Sequence, residues 1–493
     1  MLNKNNKAMN NTTNENLKIN HRLKGIILID LELTNTSPLI IGSGKNELLD
    51  VELMRYPDGS PYIPASSYFG ILKHFFFDKY NLIGCTDSHV LKNLTYWFGD
   101  FKNYFDPNGN IVTSINEDNI EFQSHIIPKD IVAEKDSFII SIRDGIELED
   151  NTLLTKQNSK YDFEIIEPGA VFSGTIKLKV KSGIDESILL YILKFLKENI
   201  TTCRYGRNTT SGYGEMKVNR FVIKRYDGNK WIEKLDGNDN GVDITNNVSP
   251  DTSISETDQT YFKAYIDAEI WKSLLIGAGS NADDINAESD KVFMKYRNPK
   301  NHDNVPLAGR AYRQALIKRM QRILNSADTK FSLADLKGID EESKPQKRSR
   351  LTVKETTFNI KDVSENIHHR IKIDHFTGGS MHNAKFDSTP LWHKEETLQM
   401  EICIHNYIDE EAALLIHALK DLVTKDLPLG AEKSIGRGRL KGKQLKLEWV
   451  DRNMVAKSIC IEIKEDSITI DNMDIAEELE TMNSKLFTNV QTA

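Results

Sequence analysis

Two loops of this chain combine glycine, hydroxyl and cationic residues at one spacing. They are "GRNTTSGYGEM", starting at Gly206, and "GAEKSIGRGRL", starting at Gly430. Gly206, Gly212 and Gly214 are spaced as Gly430, Gly436 and Gly438 are. Glycine lets backbone N–H groups approach an anion closely and gather into a nest for phosphate. Arg207 in the first loop, and Lys433, Ser434, Arg437 and Arg439 in the second, add charge and donors suited to a phosphate chain. A tight turn needing positive φ would explain one such loop. Two in register favour backbone-phosphate contact and point to a duplicated module. The first loop carries Thr209, Thr210 and Ser211, so its grip would rest more on hydrogen bonds.

The elements that must hold these loops also recur. "GIILIDLELTNTSPLIIGSG" and "YFKAYIDAEIWKSLLIGAG" both read as alternating strands that end in a Gly-x-Gly turn, at Gly42/Gly44 and Gly277/Gly279. A polar loop, a short apolar-basic strand, a proline (Pro64, Pro306) and an amphipathic helix follow in each copy. At the first strand-to-helix junction, "IPASS", Ser66 and Ser67 could donate to a phosphate at a helix N-terminus, or simply cap it; the second junction offers Arg310. Mid-copy, two strands flank a polar turn, centred on Thr152 or on Thr377–Gly378, with an aromatic step at Phe163 or Phe386. This pattern predicts a protruding hairpin. A second helix opened by Asp-Glu and a last strand beyond the glycine loop complete each copy. The resulting order is an α+β, ferredoxin-like (RRM-like) pattern, with a hairpin inserted in each of two tandem modules.

The predicted boundaries are a disordered, Asn-rich leader at 1–22, a first module at 23–225, a polar linker at 226–259, a second module at 260–450 and a C-terminal extension at 451–493. The extension reads as an extra hairpin and an acidic helix. No apolar run has the length of a membrane span, and no secretion signal opens the chain. Cys85, Cys203, Cys403 and Cys460 form no CxxC pair, which argues against a disulfide framework or structural zinc and makes the cytoplasm the default. The formal net charge of −8 argues against a general nucleic-acid binder, so any such site is a local groove on an acidic body. The basic run Lys344–Lys354 and the second hairpin's His368, His369, His375 and His382 read as solvated or RNA-facing surface rather than metal ligands.

The Gly-x-Gly strand end, the "PYIPASS" junction, the hairpin with its phenylalanine and the terminal glycine loop occur in that order, twice. The ordered set resembles the RAMP superfamily of CRISPR-associated proteins, and most of all the fused double backbone subunit of type III-D interference complexes. That resemblance implies modules stacked along CRISPR RNA, each with a thumb hairpin that splays out a nucleotide, and partnership with target RNA and other type III effector subunits. It also implies a divalent-metal-dependent endoribonuclease, with Mg2+ or Mn2+, that cuts target RNA once per module. The family's cleaving aspartate falls on Asp50 and Asp290, three residues before Leu53 and Phe293. A carboxylate there could accept the proton of a substrate 2′-OH or hold a metal against the phosphate. The RNA-contacting positions implied are Gly42, Gly44, Gly277 and Gly279, the junction residues Ser66, Ser67 and Arg310, and the two glycine loops. The family's histidine before the first turn is replaced by Ile40 and Leu275, and its junction lysine by Phe69. A non-catalytic guide-binding subunit and a CRISPR RNA-processing endoribonuclease are the competing readings.

Overall fold

A computed structural model of the protein describes residues 23–44, 49–80, 82, 88–99, 123–145, 160–182, 184–248, 259–277, 291–297, 303–327, 331–338, 347–359, 363–393, 397–464 and 467–488. The predicted leader, the Thr152 turn, Gly279 and Asp290 lie outside the described residues.

Two larger antiparallel sheets organise the chain. The first is centred on Leu23–Asn35, flanked by Met216–Asp227 on one side and Val171–Lys181 on the other. Ile27, Ile29, Leu31 and Leu33 alternate onto its inner face and are buried, as a period-two pattern requires. Helices Ala65–Lys79 and Glu186–Asn199 cover that face through Leu72, Phe76, Ile192 and Phe195. Burying each such side chain contributes about 1.5–3 kcal/mol. The second helix is set by Asp185, whose side chain accepts from the Ser187 amide at 2.8 Å.

The second sheet repeats the plan. Tyr261–Trp271 is flanked by Arg439–Val450 and Leu398–His405, and Phe262, Ile266, Leu316, Met320, Leu415 and Leu419 share one core. Helices Gly309–Ala327 and Asp409–Val423 supply the covering layer. In both sheets the central strand is the first of its unit, between the last strand and the strand that leads into the second helix. Beyond residue 450, Ala456–Ile463 adds to the sheet edge and helix Met473–Thr488 puts Met482 and Leu486 into the same core.

Two hairpins leave the sheets: Ile140–Gly145 with Tyr161–Ile166, and His368–Ile373 with Ser380–Thr389. Arg143 opposes Phe163 in the first, as Arg370 opposes Phe386 in the second. The second hairpin's tip is bare. Phe376 is 98% exposed and Ile371 and Ile373 are each 57% exposed, while Asp374 tightens the turn by accepting from the Phe376 and Thr377 amides.

The segment after residue 226 corrects the solvated-linker expectation. Tyr226 is fully buried, and its hydroxyl donates to Asp239 at 2.7 Å. Trp231 packs edge-on against it, and Val242–Asp243 pairs with Lys224 and Arg225 at the sheet edge. Three apolar anchors (Tyr226, Trp231 and Ile244) suffice to fold a segment whose average composition is polar.

Candidate nucleic-acid interface and the joint between units

The two glycine loops are built on the same hydrogen bonds. Arg207 N donates to Ile40 O and Ala431 N to Leu275 O; Gly214 N donates to Pro38 O and Gly438 N to Ser273 O. Each loop encloses one 3-10 turn, Thr209–Ser211 or Lys433–Ile435. Their surroundings differ at one position. A Cβ on Gly212 would come under 3.0 Å from the Glu355 amide nitrogen of the second unit, whereas a Cβ on Gly436 would meet nothing within 4 Å. The first loop is docked on the second unit, and the second loop is open at the corresponding place.

That docking is a polar joint. Arg143, from the first hairpin, donates to both carboxylate oxygens of Glu355 at 3.0 Å, to Glu167 at 3.1 Å and to the Tyr213 hydroxyl at 3.1 Å. The side chains are 3% exposed for Arg143 and 1% for each glutamate. Burial opposes the Arg143 charge, but Glu355, Tyr213 and Glu167 together outweigh it and hold the guanidinium well above its ordinary pKa. Burial also pushes both glutamates up, and Arg143 pulls them only part of the way back. Around this centre Arg204 bridges Thr209 O and Val353 O at 2.8 Å each, and Arg348 reaches the Thr209 hydroxyl at 3.0 Å. Gly309 presses on Ser211 O so closely that a Cβ would fall under 3.0 Å from it. The hydroxyl-bearing stretch expected to grip phosphate is therefore largely spent on holding the units together.

The helix junctions are spent as well. Ala65 N donates to Asp130 at 2.7 Å, and the Gly309 amide donates to Glu355. Each N-terminus thus already holds a carboxylate, the anion that its dipole favours. Ser66 and Ser67 are exposed, but the amide beside them is taken. Asp130 and Glu355 were missed in the sequence. The signal was the pair of dipeptides Lys129-Asp130 and Lys354-Glu355, whose lysine carbonyls accept from Tyr68 and Tyr312. These bonds also correct the proline pairing. Ser67 N donates to Pro64 O as Ala311 N donates to Ala308 O, so Pro64 corresponds to Ala308, and Pro306 belongs to the preceding strand.

Two predicted RNA-contacting arginines are placed elsewhere. Arg310 stacks 4.9 Å from the centre of the Tyr161 ring, across the joint. Arg437 is 3% exposed, with Nε 3.1 Å from Glu432 and one terminal nitrogen 3.1 Å from His368 Nδ1. Glu432, earlier on the same loop, captured it. Arg439 donates to Lys425 O at 2.7 Å. Lys433 is half-buried, and burial and the neighbouring Lys318 lower its pKa, while Ser434 is exposed.

Asp50 stands at the root of the first hairpin. Its amide donates to Asp162 O at 3.1 Å, and its carboxylate accepts from the Asp162 amide at 3.3 Å. Asp162 is itself raised by burial and by Asp144, with Lys160 bridging the two. Gly42 pairs with Leu53, and its lack of a side chain makes room for Val51, whose Cγ1 would lie 2.9 Å from a Cβ there, while the exposed Arg207 lies at ordinary contact distance, its Nε 3.6 Å from the same point. Gly44 is open and exposed beside it. In the second unit Gly277 bridges Phe293 as Gly42 does Leu53, so Asp290 is the counterpart of Asp50 by position along the chain.

Among the described residues no group of three or more His, Cys, Asp or Glu side chains is arranged to hold a metal ion. Asp50, Asp144 and Asp162 share their neighbourhood with the Lys160 ammonium, so these residues do not fit a divalent ion by themselves.

A family model described as the RAMP superfamily matches residues 32–217 and, a second time, residues 223–441. The chain belongs to the RAMP superfamily. Each matched stretch contains one glycine loop, one strand-to-helix junction and one hairpin, so this RAMP protein carries the family's region twice. Membership makes it a CRISPR-associated protein and indicates an RNA-binding subunit that acts with CRISPR RNA and other Cas subunits. A search of characterised proteins found no significant match. No described helix is long and apolar enough to cross a membrane.

Proposed function

We propose that this RAMP protein is a double backbone subunit of a type III CRISPR effector complex, which holds CRISPR RNA and cuts complementary target RNA at Asp50 and Asp290. Its units are read as ferredoxin-like modules and its hairpins as thumbs. The strand order, with the first strand between the last and the one after the hairpin, supports that reading. The observation that carries the functional proposal is the placement of Asp50 at a hairpin root, beside an open glycine strand and the exposed Arg207. A hairpin that displaces one nucleotide leaves its sugar and phosphate at that root, unstacked as in-line attack requires.

In the proposed reaction the 2′-OH of the displaced nucleotide attacks the adjacent phosphorus. The bond to the 5′-oxygen breaks and that oxygen takes a proton from water, leaving a 2′,3′-cyclic phosphate and a 5′-hydroxyl end. Asp50 accepts the 2′-OH proton, and Arg207 offsets charge on the phosphate. Guide RNA would follow the surfaces left open after the joint is made: Gly42 and Gly44, Ser66 and Ser67, Arg207, and the half-buried Lys433 with Ser434.

A second reading has its own support. With both helix N-termini and most of the first glycine loop committed to protein contacts, a guide-binding scaffold without cleavage is the alternative. The test is target cleavage by the complex reconstituted with its partners and guide. Asp50→Ala removes one product and Asp290→Ala another, while guide and target retention is unchanged. Complete cleavage by the double variant leaves the scaffold reading in its place.

A further inference from the structure

The joint inside the chain shows what the far side of the second unit is built to receive. Three positions receive Glu355 on the first unit: Arg143 on the hairpin, Tyr213 in the glycine loop, and Gly212, whose missing side chain makes room. Their counterparts on the second unit are Arg370, Arg437 and Gly436. There Arg370 and Arg437 share one carboxylate, Glu432. The Lys291 ammonium lies 3.7 Å from Glu432 as well, so three cations against one carboxylate leave two positive charges in excess. Among the described residues Arg437 Nη1 and Arg370 Nε are buried with no hydrogen-bond partner, and the Arg437 side chain is 3% exposed. A buried N–H left unpaired is costly, and space over Gly436 is open.

We propose that this face is a socket for one further carboxylate, supplied by a separate polypeptide whose helix begins with glycine and is capped by glutamate, as Gly309 and Glu355 do within this chain. The occupant is not a second copy. The chain's own first junction has Ala65 where the second has Gly309, because Ala65 N bonds Asp130 as the Gly309 amide bonds Glu355. A Cβ at Gly309 would collide with the carbonyl of Ser211, and Ala65 carries that Cβ. Asp130 is also one methylene shorter than Glu355 and is held by the Tyr56 hydroxyl at 2.7 Å. The two ends of the chain therefore mismatch, which blocks open-ended self-assembly while the socket stays available to a matching partner. This inference rests on the joint and not on RNA cleavage.

The test converts the first junction into a copy of the second. Wild-type full-length protein sediments as a monomer at every concentration. The variant Ala65→Gly with Asp130→Glu associates with itself in a concentration-dependent manner. Adding Gly436→Asn, whose side chain fills the open space and tolerates the left-handed backbone, abolishes that association while the protein still melts cooperatively. Asp130→Glu alone, with Ala65 kept, remains monomeric. Self-association of the wild type, a monomeric double variant, or association indifferent to Gly436→Asn would each overturn the proposal. Should the double variant fail to fold, the wild-type complex supplies the readout. Gly436→Asn then loses a co-purifying subunit while the chain itself stays folded, and full recovery of every subunit counts against the socket.

Discussion

Replacing Arg143 with Met tests whether the joint is held by one buried cation. The substitution keeps a long side chain but leaves Glu355 and Glu167, each 1% exposed, without their counter-charge. Breaking a buried pair in this way costs about 3–5 kcal/mol. An independent bound comes from protonation. A carboxyl with the ordinary value of 4.5 can neutralise itself at pH 7 for about 3.4 kcal/mol, and at pH 5 for about 0.7 kcal/mol. Both glutamates have folded pKa values raised by burial. Their contribution to stability is therefore fully present below about 4.5 and is lost as pH rises through the folded values. Arg143 limits that loss in the wild type. Without it the loss deepens, so the variant is destabilised by about 3–5 kcal/mol at pH 7, and the deficit shrinks by about 2–3 kcal/mol at pH 5. Urea melts of wild type, Arg143→Met, Glu355→Gln and the double variant at both pH values measure this. The double variant should recover part of the loss, since removing both partners costs less than stranding one. A deficit under about 0.5 kcal/mol, or one equal at pH 5 and pH 7, would refute the reasoning.

Three further outcomes are expected. Gly212→Ala and Gly436→Ala both strain a left-handed residue (φ 95° and 88°), at roughly 1 kcal/mol each. Only Gly212→Ala also pushes against Glu355, so its urea midpoint should fall clearly further and the joint should become protease-sensitive. Phe376→Ala should leave the melting temperature unchanged, because the ring is 98% exposed, while weakening target cleavage or duplex retention; equal activity would show that the hairpin tip takes no part. Asp50→Asn should keep the hairpin root folded, since the amide oxygen can still accept from Asp162 N, and should lose one cleavage product as Asp50→Ala does.

Much of the architecture was legible because it was written twice. The strand ends at Gly42 and Gly277, the glycine loops and the opposed hairpin residues occupy corresponding places. Local pattern failed where a few anchors outweighed composition. Tyr226 and Trp231 pulled an Asn- and Asp-rich segment onto the first sheet. Counting prolines failed because the chain enters the second helix two residues later than Pro306 suggests.

By itself the sequence determined the repeat, the alternating strands and amphipathic helices, and the residue types able to meet phosphate. These depend on period and on local backbone preference, which neighbouring residues already encode. Only the tertiary structure decided how each charge is used. Arg143 and Arg370 hold the same place in their hairpins, yet one crosses to Glu355 and the other stays with Glu432. Arg437 and Arg207 looked alike as loop cations, yet one is buried in an ion pair and the other faces solvent. A charge settles where the nearest opposite charge and the least desolvation leave it, and those distances exist only once the two units are folded against each other.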